Sequence, residues 1–91
     1  MVKYEIIKER DPTIEDRLAA AACLSGAGFK LYCYLESFPW GASTYLQKDF
    51  VKQMGFDART ASSAFSELIK EGYLKAFSES TYFFNENCKK F

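Results

Sequence analysis

Residues 46 to 75 constrain the fold more than any other stretch. They read Leu-Gln-Lys-Asp-Phe-Val-Lys-Gln-Met-Gly-Phe-Asp-Ala-Arg-Thr-Ala-Ser-Ser-Ala-Phe-Ser-Glu-Leu-Ile-Lys-Glu-Gly-Tyr-Leu-Lys. The pattern predicts a short helix over 47–54, a tight turn at Met54-Gly55-Phe56, a second helix from about Ala58 to Glu71, and a strand after Gly72. Gly55 can take a positive φ without steric penalty, as a sharp inter-helix turn requires. Asp57 stands at the N-cap position, where a carboxylate accepts orphan backbone N–H groups and suits the positive end of the helix dipole. Gly72 is a natural C-terminal stop.

Helical spacing sorts the second helix into two faces. Ala61, Phe65 and Leu68 form an apolar side, flanked by Ala58, Ala64 and Ile69. Arg59, Ser63, Ser66 and Lys70 form the opposite side, flanked by Thr60, Ser62 and Glu67. Small polar side chains around an arginine allow close approach to another surface. In a major groove they reach base edges and phosphates. On an isolated helix the same face is more often just solvated.

These residues carry a resemblance. Gln47-Lys48-Asp49-Phe50-Val51, Phe56-Asp57-Ala58-Arg59-Thr60-Ala61 and Leu68-Ile69-Lys70-Glu71-Gly72-Tyr73-Leu74 resemble, in order, the second helix, the start of the recognition helix and its exit in the winged helix-turn-helix family. The run Leu24-Ser25-Gly26-Ala27-Gly28-Phe29-Lys30-Leu31-Tyr32 is similar to the first helix of that family's replication-initiator branch, found in phages and plasmids. The resemblance spans roughly residues 24 to 85. It implies an α+β, mainly helical fold with a C-terminal β-hairpin wing, and duplex DNA as the ligand. Carried over by position, Arg59 contacts a base or phosphate. Thr60, Ser62, Ser63 and Ser66 hydrogen-bond phosphates or bases, and Lys48, Lys52, Lys70 and Lys75 neighbour phosphates. The chain departs from the family in two places. Ser63 stands where many members carry a basic residue, and the wing tip is Ser78-Glu79-Ser80, where DNA-binding wings often carry Lys or Arg.

Composition bounds the rest. Ninety-one residues make one domain, with an N-terminal strand or arm and helix in 1–23, a core in 24–85 and a frayed tail in 86–91. A hydrophobic fraction of 48% and an aromatic fraction of 18% supply ample core material. The formal net charge is zero and the pI about 6.2. Stand-alone nucleic-acid binders are usually basic, because phosphate neutralisation supplies most non-specific affinity. Local basic patches on a homodimer remain compatible with this balance. There is no histidine, and the three cysteines, Cys23, Cys33 and Cys88, are not at metal-ligand spacing. Cys23 and Cys33 sit in apolar helical contexts and read as small core residues. A reducing, cytoplasmic setting is expected, with no metal and no cofactor. No nucleophile has an evident base, so the chain is expected not to be an enzyme. The Gly26-Ala27-Gly28 pair lacks the rest of a phosphate loop. The N-terminus, interrupted by acidic residues, is no signal peptide, and the run Leu18 to Leu24 is too short to span a membrane.

Along the chain, residues 2 to 8 predict a short strand or extended arm. Asp11-Pro12-Thr13 predicts a helix start with Asp11 as N-cap and Pro12 at the first helical position, and the helix continues to Cys23. Four alanines, 19 to 22, allow close packing on another helix, within the domain or between subunits. Ser25 caps a helix from Gly26 to about Phe38, ended by Pro39. Trp40 is read as a lid on the core, the commoner use, or as an exposed anchor for a partner. Ser43 to Leu46 predicts a strand. Tyr73–Phe77 and Thr81–Asn85, joined by Ser78-Glu79-Ser80, predict a hairpin with Tyr82 and Phe84 on one face and Phe83 on the other. Against DNA stands a second expectation on the same fold: a non-catalytic protein-interaction module, such as a phage- or plasmid-borne inhibitor or adaptor of a nucleic-acid enzyme. Its contacts would be Trp40, Tyr82, Phe83 and Phe84.

Overall fold

A computed structural model of the chain describes residues 3–8 and 13–84. The elements in order are β1 (Lys3–Lys8), α1 (Ile14–Cys23), α2 (Gly26–Glu36), β2 (Gly41–Leu46), α3 (Gln47–Met54), α4 (Ala58–Lys70), β3 (Leu74–Ala76) and β4 (Thr81–Phe84). The strands form one sheet in the order β2-β1-β4-β3. The fold is an α+β winged helix-turn-helix, with β3 and β4 as the antiparallel wing hairpin. Among the described residues the helices cover one face of the sheet, and the other face is open.

The N-terminal segment is not an arm but an inner strand. β1 pairs antiparallel with β2, Lys3 opposite Leu46 through Lys8 opposite Gly41. On its other side it runs parallel to β4, Glu5 opposite Thr81 through Lys8 opposite Phe84. Strand alternation sends Tyr4, Ile6 and Lys8 toward the helices and Lys3, Glu5 and Ile7 to the open face. Ile6 is fully buried, and Lys8 is only 5% exposed. The Lys8 ammonium donates to the main-chain oxygens of Glu36 and Phe38 at the end of α2. A cation there satisfies orphan carbonyls and faces the negative end of the helix dipole.

Aromatic side chains fill the space between the layers. Phe65 of α4 stacks on Tyr4 at 4.5 Å, and Tyr82 meets both edge-on, at 5.1 Å from Phe65 and 5.3 Å from Tyr4. Tyr32 of α2 packs on Phe84 at 5.4 Å and on Tyr73 at 5.2 Å. Phe84 is therefore core, 1% exposed, and offers no surface to a partner, which corrects its expected partner-binding role. Much of the hydrophobic material of the 91-residue chain is absorbed inside.

Several local expectations shift. α1 starts at a Thr13 N-cap, not at Asp11. Thr13 accepts from the Asp16 N–H at 3.1 Å, and the Asp16 carboxylate accepts from the Thr13 N–H at 2.9 Å, a reciprocal capping box. Asp11 and Pro12 lie outside the described residues. α2 ends at Glu36, two residues early, closed by Ser37. Its buried stripe is Gly28, Leu31, Tyr32 and Leu35, so Cys33 points away and is exposed. Cys23 is exposed as well, because α1 buries only Ala20. Neither cysteine is a core residue, and Cys88 lies outside the described residues. Trp40 is no lid. It precedes Gly41, which turns at φ +91°, and it is 61% exposed. The hairpin keeps its predicted turn, with Phe77 N–H and Ser78 N–H both donating to the Thr81 carbonyl. Asn85 lies outside the described residues.

Two stability outcomes follow from this core. Lys8→Met removes the cation from two carbonyls and should lower the unfolding free energy by about 2–3 kcal/mol in urea titration. A change under about 0.5 kcal/mol would show the carbonyls are satisfied without it. The Tyr45 hydroxyl is buried with no hydrogen-bond partner among the described residues, and burial raises its pKa first, with Tyr34 and Tyr4 adding to the shift. Tyr45→Phe should leave stability unchanged or raise it by up to about 1 kcal/mol. A loss of more than about 1 kcal/mol would reveal a partner for that hydroxyl.

Candidate nucleic-acid interface

The helix-turn-helix is built by local rules and then fixed by tertiary contacts. α3 carries Phe50 into the core and ends at Gly55, which sits in the left-handed region at φ +76°. Phe50 also meets Phe56 at 5.9 Å, which holds the turn down. Asp57 caps α4, accepting from the Thr60 N–H at 2.8 Å. That bond, then the Thr60 side chain, holds the Asp57 carboxyl below the usual carboxylate range. Ala61, Ala64, Phe65 and Leu68 are buried. Ala58 and Ile69, expected beside them, are exposed at the margin.

The outward ridge of α4 is Arg59, Ser63, Ser66 and Lys70, all exposed. Among the described residues Arg59 has no ion-pair partner. Arg59 and Lys70 lie three turns apart, about 17 Å along the axis. Between them the ridge carries only serine side chains. A cation at each end and small hydroxyls between suit a helix seated in a groove about 12 Å wide, with phosphates at both rims. Ser62 sits to the sheet side and donates to the buried Gln47 Oε1 at 3.4 Å, a long contact. Ser62 and Ser66 line a shallow cavity of about 240 Å³ with Tyr4, Gln47, Ile69 and Tyr82. Thr60 is partly buried. Lys48 and Lys52 are exposed on α3.

Lys75 is not brought to this face. It lies in β3 opposite Phe83, on the open side of the sheet away from the helices. The wing itself is drawn in, because β4 pairs along β1 and the Glu5 N–H donates to the Ser80 carbonyl at 2.8 Å. Only the short acidic turn around Glu79 projects.

Two features of the site escaped the sequence. Lys30 of α2 stands 5.4 Å over the Phe56 ring, which places an exposed cation beside the turn. Glu67 faces α2 and is held there. Its carboxylate accepts from the Ser25 N–H at 2.8 Å and from the Ser25 hydroxyl at 2.7 Å, while Ser25 caps Gly28 at 3.2 Å. A Cβ at Gly28 would press into that carboxylate, so the glycine is a close-approach position, not part of a phosphate loop. The helix periodicity placed Glu67 beside the ridge but gave no sign of its distant partner. Asp57 and Glu67, two of the acids that balance the lysines in the net charge, are thus committed to helix caps.

A family model described as a helix-turn-helix domain matches residues 22–74. The chain belongs to that family. No curated protein and no solved structure matches the chain. Among the described residues no helix is long and apolar enough to cross a membrane, and no cluster of His, Cys, Asp or Glu could hold a metal ion.

The Asp57 cap gives the site a pH signature. The folded carboxyl titrates below its unfolded value. Its contribution is full above the unfolded carboxylate pKa and is lost as pH falls through the folded one. Asp57→Asn keeps an acceptor at the cap but no titrating charge. Its unfolding free energy should fall less than the parent's between neutral and acidic pH. Equal slopes in a pH series of urea titrations would show that the cap charge does not report on folding.

Proposed function

We propose that this protein binds duplex DNA, with α4 in the major groove, as a cytoplasmic transcription regulator or replication accessory acting as a homodimer. The observation that carries the reading is the ridge Arg59–Ser63–Ser66–Lys70 on the second helix of a helix-turn-helix, small in the middle and cationic at both ends. Arg59 contacts a base edge or phosphate. Ser62, Ser63 and Ser66 hydrogen-bond within the groove, Thr60 flanks them, and Lys70, Lys48 and Lys52 neighbour phosphates. Lys30 joins them from α2. Lys75 reaches phosphate only where duplex continues past the hairpin. The replication-initiator likeness of residues 24–32 favours a phage or plasmid accessory within this class. A net charge of zero keeps non-specific affinity low, so recognition rests on the ridge and on pairing two copies.

A second reading has its own observation. Trp40 and Phe77 are 61% and 66% exposed, and Phe77 meets Phe83 edge-on at 5.2 Å. Exposed aromatic side chains of this kind suit a protein partner, whereas Tyr82 faces the helices at the cavity with Phe65 and Ser66.

Fluorescence anisotropy with duplex DNA across a salt series separates the two. On the DNA reading Arg59→Ala weakens binding by roughly 1–3 kcal/mol and Trp40→Ala leaves the intrinsic contact of one copy unchanged. Absence of binding at low salt, or binding indifferent to Arg59, would remove the DNA reading.

A further inference from the structure

The two edges of the sheet are built differently. β3 is three residues long and carries Lys75 at its centre. β2 is six residues long, Gly-Ala-Ser-Thr-Tyr-Leu, with no charge and no proline. Among the described residues its backbone pairs only with β1, which leaves its outer edge open. Short length, lysine and proline are the devices that stop an edge from pairing with another chain. β3 has two of them and β2 has none.

We propose that β2 is the surface through which two copies of this chain associate, antiparallel about a two-fold axis at Ser43, so that two four-stranded sheets become one. The proposal rests on the homodimer in the reading above and names its interface. The occupant is a second copy because the strand complements itself. Antiparallel pairing of identical strands is isologous and closes at two. The pleat requires helix-side residues to meet helix-side residues. With Ser43 opposite its own copy, Ala42 meets the partner's Thr44 and Gly41 meets the partner's Tyr45. Trp40, just before the strand, then falls beside the partner's Leu46. That register sets the exposed indole beside a partly buried leucine, while the Tyr45 ring stays in its own core. A two-fold axis perpendicular to the sheet also keeps both helical layers on one side. Both α4 ridges then point the same way, as binding to a two-fold symmetric duplex site demands.

The test is sedimentation equilibrium of the full chain from micromolar to near-millimolar concentration, together with intrinsic fluorescence. Trp40 is the only tryptophan, so its emission reads the proposed contact directly. Association should appear with concentration and should shift the emission to the blue. Thr44 is exposed, so Thr44→Lys adds an edge charge without touching the core, and it should weaken association about tenfold or more. In a background lacking the natural cysteines, Ser43→Cys should cross-link to its own copy on mild oxidation, whereas Glu5→Cys should not. Leu18→Glu, on the exposed side of α1, should change nothing. A monomer at every concentration, association without an emission shift, or a dimer dissolved by Leu18→Glu but not by Thr44→Lys would each overturn the proposal. The two readings fail separately. A Thr44→Lys monomer that still binds a half-site through Arg59 leaves the DNA reading intact, and a dimer without DNA affinity leaves the interface intact.

Discussion

Six residues at the N-terminal side, paired on both edges, hold the rest of the molecule in place. β1 lies between β2 and β4 and bonds to both, and in the sheet the two meet only through it. If β1 left, β2 would be a lone strand and the wing a two-stranded ribbon, which is marginal in water. The same strand sets the helices. Tyr4 carries the Phe65 ring of α4, Ile6 is sealed in the core, and Lys8 closes the end of α2. The position of α4 is thus fixed by contacts more than fifty residues away in sequence.

Helix ends supply the second organising constraint, and they explain how a neutral chain leaves a cationic ridge. Carboxylates at Asp16, Asp57 and Glu67 each face helix N-terminal N–H groups, where the dipole favours them. The Arg17 guanidinium pairs with Glu36 at the far end of α2. Charges used in this way are paired at helix ends, while Arg59, Lys70, Lys48 and Lys52 stay exposed on the outer face of the motif. Net charge read from composition counts both kinds alike, although only the second kind can be presented to phosphate.

The parts of this design that are local could be read from the sequence. Gly55, Asp57 and Gly72 act through their own backbone geometry, and the two faces of α4 follow from its period, so the helix-turn-helix and its ridge were legible. The hairpin was too, because its turn is short. What escaped depends on pairing across the chain. The parallel contact of β1 with β4, the burial of Lys8, the Glu67–Ser25 clasp and the placing of Lys30 have no local signature. The same cause explains the residues misread. Trp40, Cys23 and Cys33 are apolar in type, yet they stay exposed among the described residues, and Phe84 is buried because its strand lies inside the sheet.

The central claim is that the α4 ridge is the surface offered to duplex DNA. Chemical-shift mapping of the isotopically labelled chain, titrated with a short duplex, tests it most directly. The largest perturbations should fall at Arg59, Ser63, Ser66 and Lys70, weaker ones at Lys48, Lys52 and Lys30, and none on the open face of the sheet. Perturbations concentrated at Trp40, Ile7, Phe77 and Phe83, or absent throughout, would contradict it.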